Sequence, residues 1–132
     1  MKKNILITGS SGILGKYLVK KLNKTHNIIC ISRKQRFKQG KLNLNCDLSN
    51  ESQVNNKLYQ IKKKFKKIDA MILCAGKSKK NYSNIENIKS WKNSFDNNFF
   101  STTNIIESYI NNFKYQKTKI IVISSVAGSK IL

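Results

Sequence analysis

The feature that most constrains this chain is an eight-residue turn, Thr8-Gly9-Ser10-Ser11-Gly12-Ile13-Leu14-Gly15. It lies between the apolar run Ile5 to Thr8 and a segment in which Leu14, Leu18 and Leu22 recur four apart. That segment carries Lys16, Lys20, Lys21 and Lys24 largely off the leucine stripe, which predicts an amphipathic helix. Glycines here let the backbone approach a pyrophosphate closely, and the start of the helix aims free N–H groups at negative charge. Glycine spacing alone is weak evidence, because glycines also end strands for structural reasons. A strand before and a helix after supply the context that makes nucleotide binding the expected reading.

The rest of the chain alternates in the same way. Ile28 to Ser32 is a buried-type strand, and Lys41 to Cys46 a third, with Leu42 and Leu44 between polar neighbours. Ser49 is expected to cap a helix that has Glu51 in its first turn. Along that helix Val54, Leu58, Ile61 and Phe65 fall on one face. A fourth strand runs from Ile68 to Cys74, a loop with a short helix follows from Lys77 to Asn87, and a fifth strand runs from Lys119 to Ser124. Between them Trp91 to Phe113 is the longest helical pattern, with Trp91, Phe95, Phe99, Ile106, Ile110 and Phe113 along one broad face. Near-continuous apolar strands separated by single helices predict a parallel sheet covered on both faces. The expected fold is therefore α/β: a Rossmann-like, doubly wound sheet of about five strands in the order 3-2-1-4-5. Without repeats or a proline-rich linker, residues 1–132 are read as one domain.

Charge raises a different possibility. Lys plus Arg is 26 against 6 acids, a net +20, which by itself suggests a polyanionic partner. Yet Arg33 and Arg36 are the only arginines, proline is absent, and lysine, asparagine and isoleucine are abundant. That joint bias fits AT-rich coding DNA, with lysine spread over solvated surface, so nucleic acid is not expected as the main partner. No run approaches the roughly 18 apolar residues of a membrane span, and the first apolar run is too short for a signal peptide. No membrane association and a cytoplasmic location are expected. Cys30, Cys46 and Cys74 are odd in number and widely spaced, with only His26 as a further ligand candidate. Neither a disulfide framework nor a metal site is expected; small buried hydrophobes are.

Several segments together resemble the short-chain dehydrogenase/reductase family, in order and over essentially the whole chain. The turn is similar to that family's Thr-Gly turn. Its glycines read T-G-x-x-G-x-x-G, a spacing like that of the extended branch, which includes sugar-nucleotide epimerases and dehydratases. Cys46-Asp47-Leu48 matches the Asp-Val/Leu pair whose carboxylate, in the family, accepts from the adenine amino group. Cys74-Ala75-Gly76 is similar to the end of the Asn-Asn-Ala-Gly motif, with Leu73 and Cys74 in place of both asparagines. Trp91 followed by Asn98 looks like the classical branch's helix, whose asparagine helps hold a water in the active site; Asn97 is adjacent. Ile121 to Gly128 resembles the strand ending at the family's catalytic serine, which maps to Ser125. These last two features tip the reading to the classical branch.

The resemblance implies a nicotinamide dinucleotide cofactor and hydride transfer to or from a small carbonyl or alcohol. NAD-specific members place an acid after the second strand, whereas this chain has Ser32-Arg33-Lys34. A guanidinium there suits a 2′-phosphate, so NADP(H) is expected over NAD(H). In the family a tyrosine acts as general acid/base, with a lysine four positions on that lowers its pKa. Only Val126 to Leu132 follow Ser125, and none is tyrosine, so that pair is expected to be absent and hydride transfer by this chain slow. The fold is then incomplete at its C-terminal edge, leaving the fifth strand unprotected. The expectation is a fragmentary reductase, its protein partner a second copy of itself or a missing C-terminal half. The alternatives are a non-catalytic nucleotide-binding module completed by a partner chain, a fragment of an extended-type sugar-nucleotide epimerase or dehydratase, or a basic nucleic-acid-binding protein.

Overall fold

A computed structural model of the protein describes residues 1–34, 39–77, 87–114 and 116–125. The strands are β1 (Asn4–Thr8), β2 (Asn27–Ser32), β3 (Leu42–Asn45), β4 (Ala70–Leu73) and β5 (Lys119–Val122). The helices are α1 (Ile13–Leu22), α2 (Glu51–Lys64), α3 (Ile88–Phe95) and α4 (Ser101–Asn112), with a π-helical turn (Asp96–Phe100) joining the last two. All strand pairs are parallel, in the order β3-β2-β1-β4-β5, as the alternation of strands and helices implied. Each strand differs from its sequence pattern by one or two residues at an end, β3 and β4 at both ends.

Period-two alternation along the strands divides the core in two. Leu6, Ile29, Ile31, Met71 and Leu73 face α2 and α4, meeting Val54, Leu58, Ile61, Ile105 and Phe113. Ile5, Ile7, Ile28 and Cys30 face the other way and meet Val19, with Leu18 and Leu22 packed beside it. Helices thus cover both faces of a sheet whose central strands are apolar on each side. Asp69 ties the start of β4 to β1: its carboxylate accepts from the Asn4 N–H at 2.9 Å and pairs with Lys67 at 2.9 Å. The Lys67 hydrogen bond first, and then the Asn4 N–H, hold that carboxyl below its ordinary range.

Three sequence expectations are corrected. In α1 the buried positions are Gly15 and Val19, with Leu14 exposed, because a glycine at the contact brings the helix axis close to the turn. Asn50, and not Ser49, caps α2, accepting from the Gln53 N–H at 3.0 Å; Ser49 instead donates its hydroxyl and N–H to Asp47. The stripe expected over Trp91 to Phe113 is broken. Trp91, Phe95, Phe99 and Ile110 are exposed, while Ser101, Ile105, Ser108 and Tyr109 are buried and Phe113 packs with them. α3 buries none of its residues, whereas α4, beyond the π turn, is the helix that packs inward. Of the loop expected from Lys77 to Asn87, residues 78–86 lie outside the described residues, as does 126–128 of the Ile121 to Gly128 segment.

At the sheet's edge, all four residues of β5 are exposed, and Ile123 continues the ladder through its N–H to the Leu73 carbonyl. Among the described residues no strand pairs with the outer side of β5. No helix of the described residues is long and apolar enough to cross a membrane.

Candidate functional site

Parallel strands bring their C-terminal ends to one side of the sheet, and a cleft of about 720 Å³ opens there. Gly9, Ser11 and Gly12 line it from the first turn, Ser32, Arg33 and Lys34 from the end of β2. Cys46, Asp47, Leu48 and Ser49 contribute from the end of β3, and Cys74, Ala75, Gly76 and Lys77 from the end of β4. Asp96, Asn97 and Ser101 close the side formed by the π turn and α4. Four segments singled out from sequence therefore converge on one cavity, between β1 and its two neighbours.

The turn's geometry explains its glycines. Gly9 has φ +65°, a left-handed conformation, and a Cβ there would stand 2.8–2.9 Å from the backbone of Cys74 and Ala75. At Gly15 a Cβ would come within 2.2 Å of the Gly9 carbonyl oxygen. Gly12 differs: its Cβ would meet only Gly9 O, at 3.3 Å, so the space beside it belongs to the cleft. Gly12 is also the N-cap of α1 and has no side chain with which to satisfy the helix's first N–H groups. The positive end of α1 is left to the cleft, an arrangement suited to an anion.

The remaining turn residues serve its shape. Thr8 is buried and its hydroxyl accepts from the Ala75 N–H at 3.3 Å, tying β1 to the end of β4. Ser10 is buried and donates its N–H to the Ile31 carbonyl at 3.3 Å, while Ile13 and Leu14 are exposed. None of these, nor Gly15, lines the cleft.

Asp47 is held with its N–H on Gln53 Oε1 at 3.1 Å and its Oδ1 on Ser49. Ser32 donates its hydroxyl to the Lys34 carbonyl, curling the chain after β2 so that Arg33 and Lys34 face the cavity. Asn98 does not line the cleft. Its amide accepts from the Lys77 N–H at 2.9 Å and donates to the Lys77 carbonyl at 3.0 Å, clamping the segment after β4. A Cβ on Gly76 would sit 2.9 Å from that same amide oxygen, so a larger residue there would press on the Asn98 side chain. Ser125 is exposed beyond the C-terminal end of β5 and is not part of the cleft wall. Sequence reading missed Asp96, Asn97 and Ser101 as cleft residues. Only the asparagine pair beside the tryptophan register hinted at them.

Tyrosine–lysine spacing does recur in the chain, at Tyr17/Lys21, Tyr59/Lys63 and Tyr115/Lys119. The structure separates the first two from the cleft. Tyr17 and Tyr59 are exposed on α1 and α2, with Lys21 Nζ 5.7 Å and Lys63 Nζ 4.5 Å from their ring centroids. These are surface cation–π contacts. Tyr115 lies outside the described residues.

None of the three cysteines is in a disulfide, and among the described residues no group of three or more His, Cys, Asp or Glu side chains could hold a metal ion. Burial pushes the Cys30 and Cys46 thiols up to about 11, and raises Cys74 as well. A thiol-disulfide reagent at pH 8 is therefore expected to modify half-buried Cys74 first. Cys30 and Cys46 should react only as the chain unfolds in urea; prompt reaction of all three in the native state would contradict this. Because folding raises these pKa values, their support for the native state is complete below about 8.5 and fades as pH rises through 11.

A family model described as short chain dehydrogenase matches residues 3–132. No curated protein sequence matches the chain. Among solved structures, a short chain dehydrogenase from Leptospira borgpetersenii with bound NAD+ is 22% identical, with a TM-score of 0.90 over 100% of this chain and 55% of that one. ElxO with NADP bound is 24% identical, with a TM-score of 0.86 over 98% of this chain and 58% of its own. A short chain dehydrogenase family protein from Francisella tularensis is 31% identical, with a TM-score of 0.80 over 96% of this chain and 52% of that one. The chain thus spans somewhat over half the length of these structures. With the family model matched along nearly its full length and the same five-stranded parallel fold, the chain belongs to the short-chain dehydrogenase family.

Proposed function

We propose that this chain is the dinucleotide-holding part of an NADP(H)-dependent oxidoreductase that moves a hydride between the nicotinamide and a small carbonyl or alcohol. The observation that carries the reading is Arg33 on the wall of the same cleft as Gly9, Gly12 and the uncapped start of α1. The cleft fits the group: it has an anion site made of backbone, a guanidinium where the adenosine ribose would lie, and a polar floor. Gly9, Ser11 and Gly12 with the first N–H groups of α1, at Ile13 and Leu14, take the pyrophosphate. Thr8, Ser10 and Gly15 hold that turn in shape. Ser32 and Arg33 take the 2′-phosphate, Asp47 and Leu48 the adenine, and Cys74-Ala75-Gly76 the second ribose. When bound, the nicotinamide supplies or accepts the hydride.

Ser125 is assigned to orient the substrate oxygen, and Asn98 to hold the loop after β4 and through it the geometry of the reacting end. The general acid that the resemblance implies has no counterpart in the described cleft, so turnover by this chain alone is expected to be slow. A second form of the reading has another polypeptide complete the module, and what supports it is the exposed Ile120, Ile121 and Val122 on β5, whose outer edge is unpaired among the described residues.

Arg33→Asp tests the cofactor assignment. Replacing a guanidinium that pairs with a phosphate by a repelling carboxylate should weaken NADPH binding about 10- to 100-fold. NADH, which lacks the phosphate, should lose no more than about 3-fold. Fluorescence titration of both dinucleotides reads the difference, and equal losses would sink the NADP(H) assignment.

A further inference from the structure

We infer that Asn97 is a positioning residue for Arg33 and so sets the dinucleotide preference of the cleft; the inference rests on the NADP(H) reading above. Arg33 follows the last residue of β2, and Asn97 sits on the π turn, yet the two meet across the cleft mouth. Arg33 Nη1 donates to Asn97 Oδ1 at 3.4 Å. The orientation of that amide is fixed by its other partner, because Asn97 Nδ2 donates to the Asn93 carbonyl at 2.6 Å. A carbonyl only accepts and a guanidinium only donates, so each end of the amide has one chemically allowed role. The oxygen must face Arg33.

The neutrality of this partner matters. Asp96 lies on the same wall of the cleft, one residue away from Asn97. Among the described residues Arg33 is met not by a carboxylate but by the uncharged amide of Asn97. Among the described residues one of the guanidinium's five N–H groups is used, by a partner that carries no charge, and the others can serve a bidentate contact with phosphate. A long cationic side chain otherwise loses rotamer freedom when it binds, and an anchor already in place lessens that loss.

The π turn makes this arrangement available. Asn98 spends its amide on the Lys77 backbone, while its neighbour reaches the opposite wall of the cleft. The carbonyl of Asn97 in turn accepts from the Ser101 hydroxyl at 2.8 Å, so the residue is held from its backbone as well as its side chain. Two adjacent asparagines thus have separate tasks, one structural and one toward the ligand.

The test uses the full chain and fluorescence titrations of NADPH and NADH, with circular dichroism to show that each variant is folded. Asn97→Ala is expected to weaken NADPH binding about 5-fold and to leave NADH unchanged. Asn97→Asp should weaken NADPH binding more than the alanine does, because a carboxylate neutralises Arg33 and repels the phosphate. In an Arg33→Ala background, Asn97→Ala should have no further effect on NADPH. Equal losses for both dinucleotides, or a loss that persists in the Arg33→Ala background, would overturn the positioning role. If Arg33→Ala itself leaves the NADPH-to-NADH ratio unchanged, the NADP(H) reading falls and the inference with it. If Arg33→Ala shifts the ratio and Asn97→Ala does not, the inference alone falls.

Discussion

Gly15→Ala is expected to destabilise the protein and to weaken dinucleotide binding by at least about 10-fold, although alanine is the better helix former. Two effects oppose each other. In the first turn of α1, exchanging glycine for alanine gains at most about 1 kcal/mol in helix propensity. Against that, the new methyl would lie 2.2 Å from the Gly9 carbonyl oxygen and 2.8 Å from its carbon, both backbone atoms. Neither can swing aside as a side chain would. Gly9 O also accepts the Gly12 N–H at 2.9 Å, and Gly9 is pressed against the backbone at Ala75. The turn must therefore move as a whole or α1 must lift from the sheet. Overpacking of this kind costs about 1–3 kcal/mol or more, so the clash outweighs the propensity gain. Urea unfolding should show a lower midpoint, and NADPH titration a weaker affinity. An unchanged or raised midpoint would mean that α1 is more loosely seated than the geometry shows.

The second large effect is expected at Leu58→Ala. Leu58 is fully buried on the inner face of α2, within the cluster that joins α2, α4 and one face of the sheet. Large-to-small substitutions at such sites lose the transfer energy of the removed carbons and leave a cavity, about 2–5 kcal/mol together. Domains of this size have only about 5–15 kcal/mol in hand, so a third of the stability can go with one side chain. Its sequence neighbour is the control. Tyr59 is exposed, with Lys63 over its ring, and Tyr59→Ala should change stability by no more than about 0.5–1 kcal/mol. Both variants are best compared by urea denaturation at a fixed salt concentration, because a net +20 repels itself in the compact state and salt relieves that repulsion. Similar losses at the two positions would contradict the assignment of α2's inner face.

That face was legible in the sequence because periodicity is a local property: Val54, Leu58, Ile61 and Phe65 repeat at the helical spacing and no irregularity intervenes. Sheet order was legible for a related reason. Parallel strands joined by single helices have few right-handed, uncrossed arrangements, and β3-β2-β1-β4-β5 is one of them. The glycine turn could be read because only glycine meets the left-handed φ at Gly9 and the backbone approach at Gly15. In each of these cases the chemistry of a few neighbouring residues determines the outcome.

Tertiary structure decided the rest. The stripe drawn through Trp91, Phe95, Phe99 and Ile110 assumed one continuous α-helix. Instead α3 buries no residue, a π turn at Asp96–Phe100 separates it from α4, and burial falls to Ile105, Ser108 and Tyr109 of α4. Asn50 displaced Ser49 as the cap because Asp47, at the end of β3, captured the serine. The meeting of Arg33 with Asn97 joins residues 64 apart in sequence, and no local pattern encodes it. Sequence by itself determined which residues form strands and helices and where the glycine turn lies, since steric and hydrophobic preferences act over a few residues. Which side chains face one another across the cleft was decided only by the packing of α4 and the π turn against the sheet, because contact between distant segments depends on the whole set of element positions.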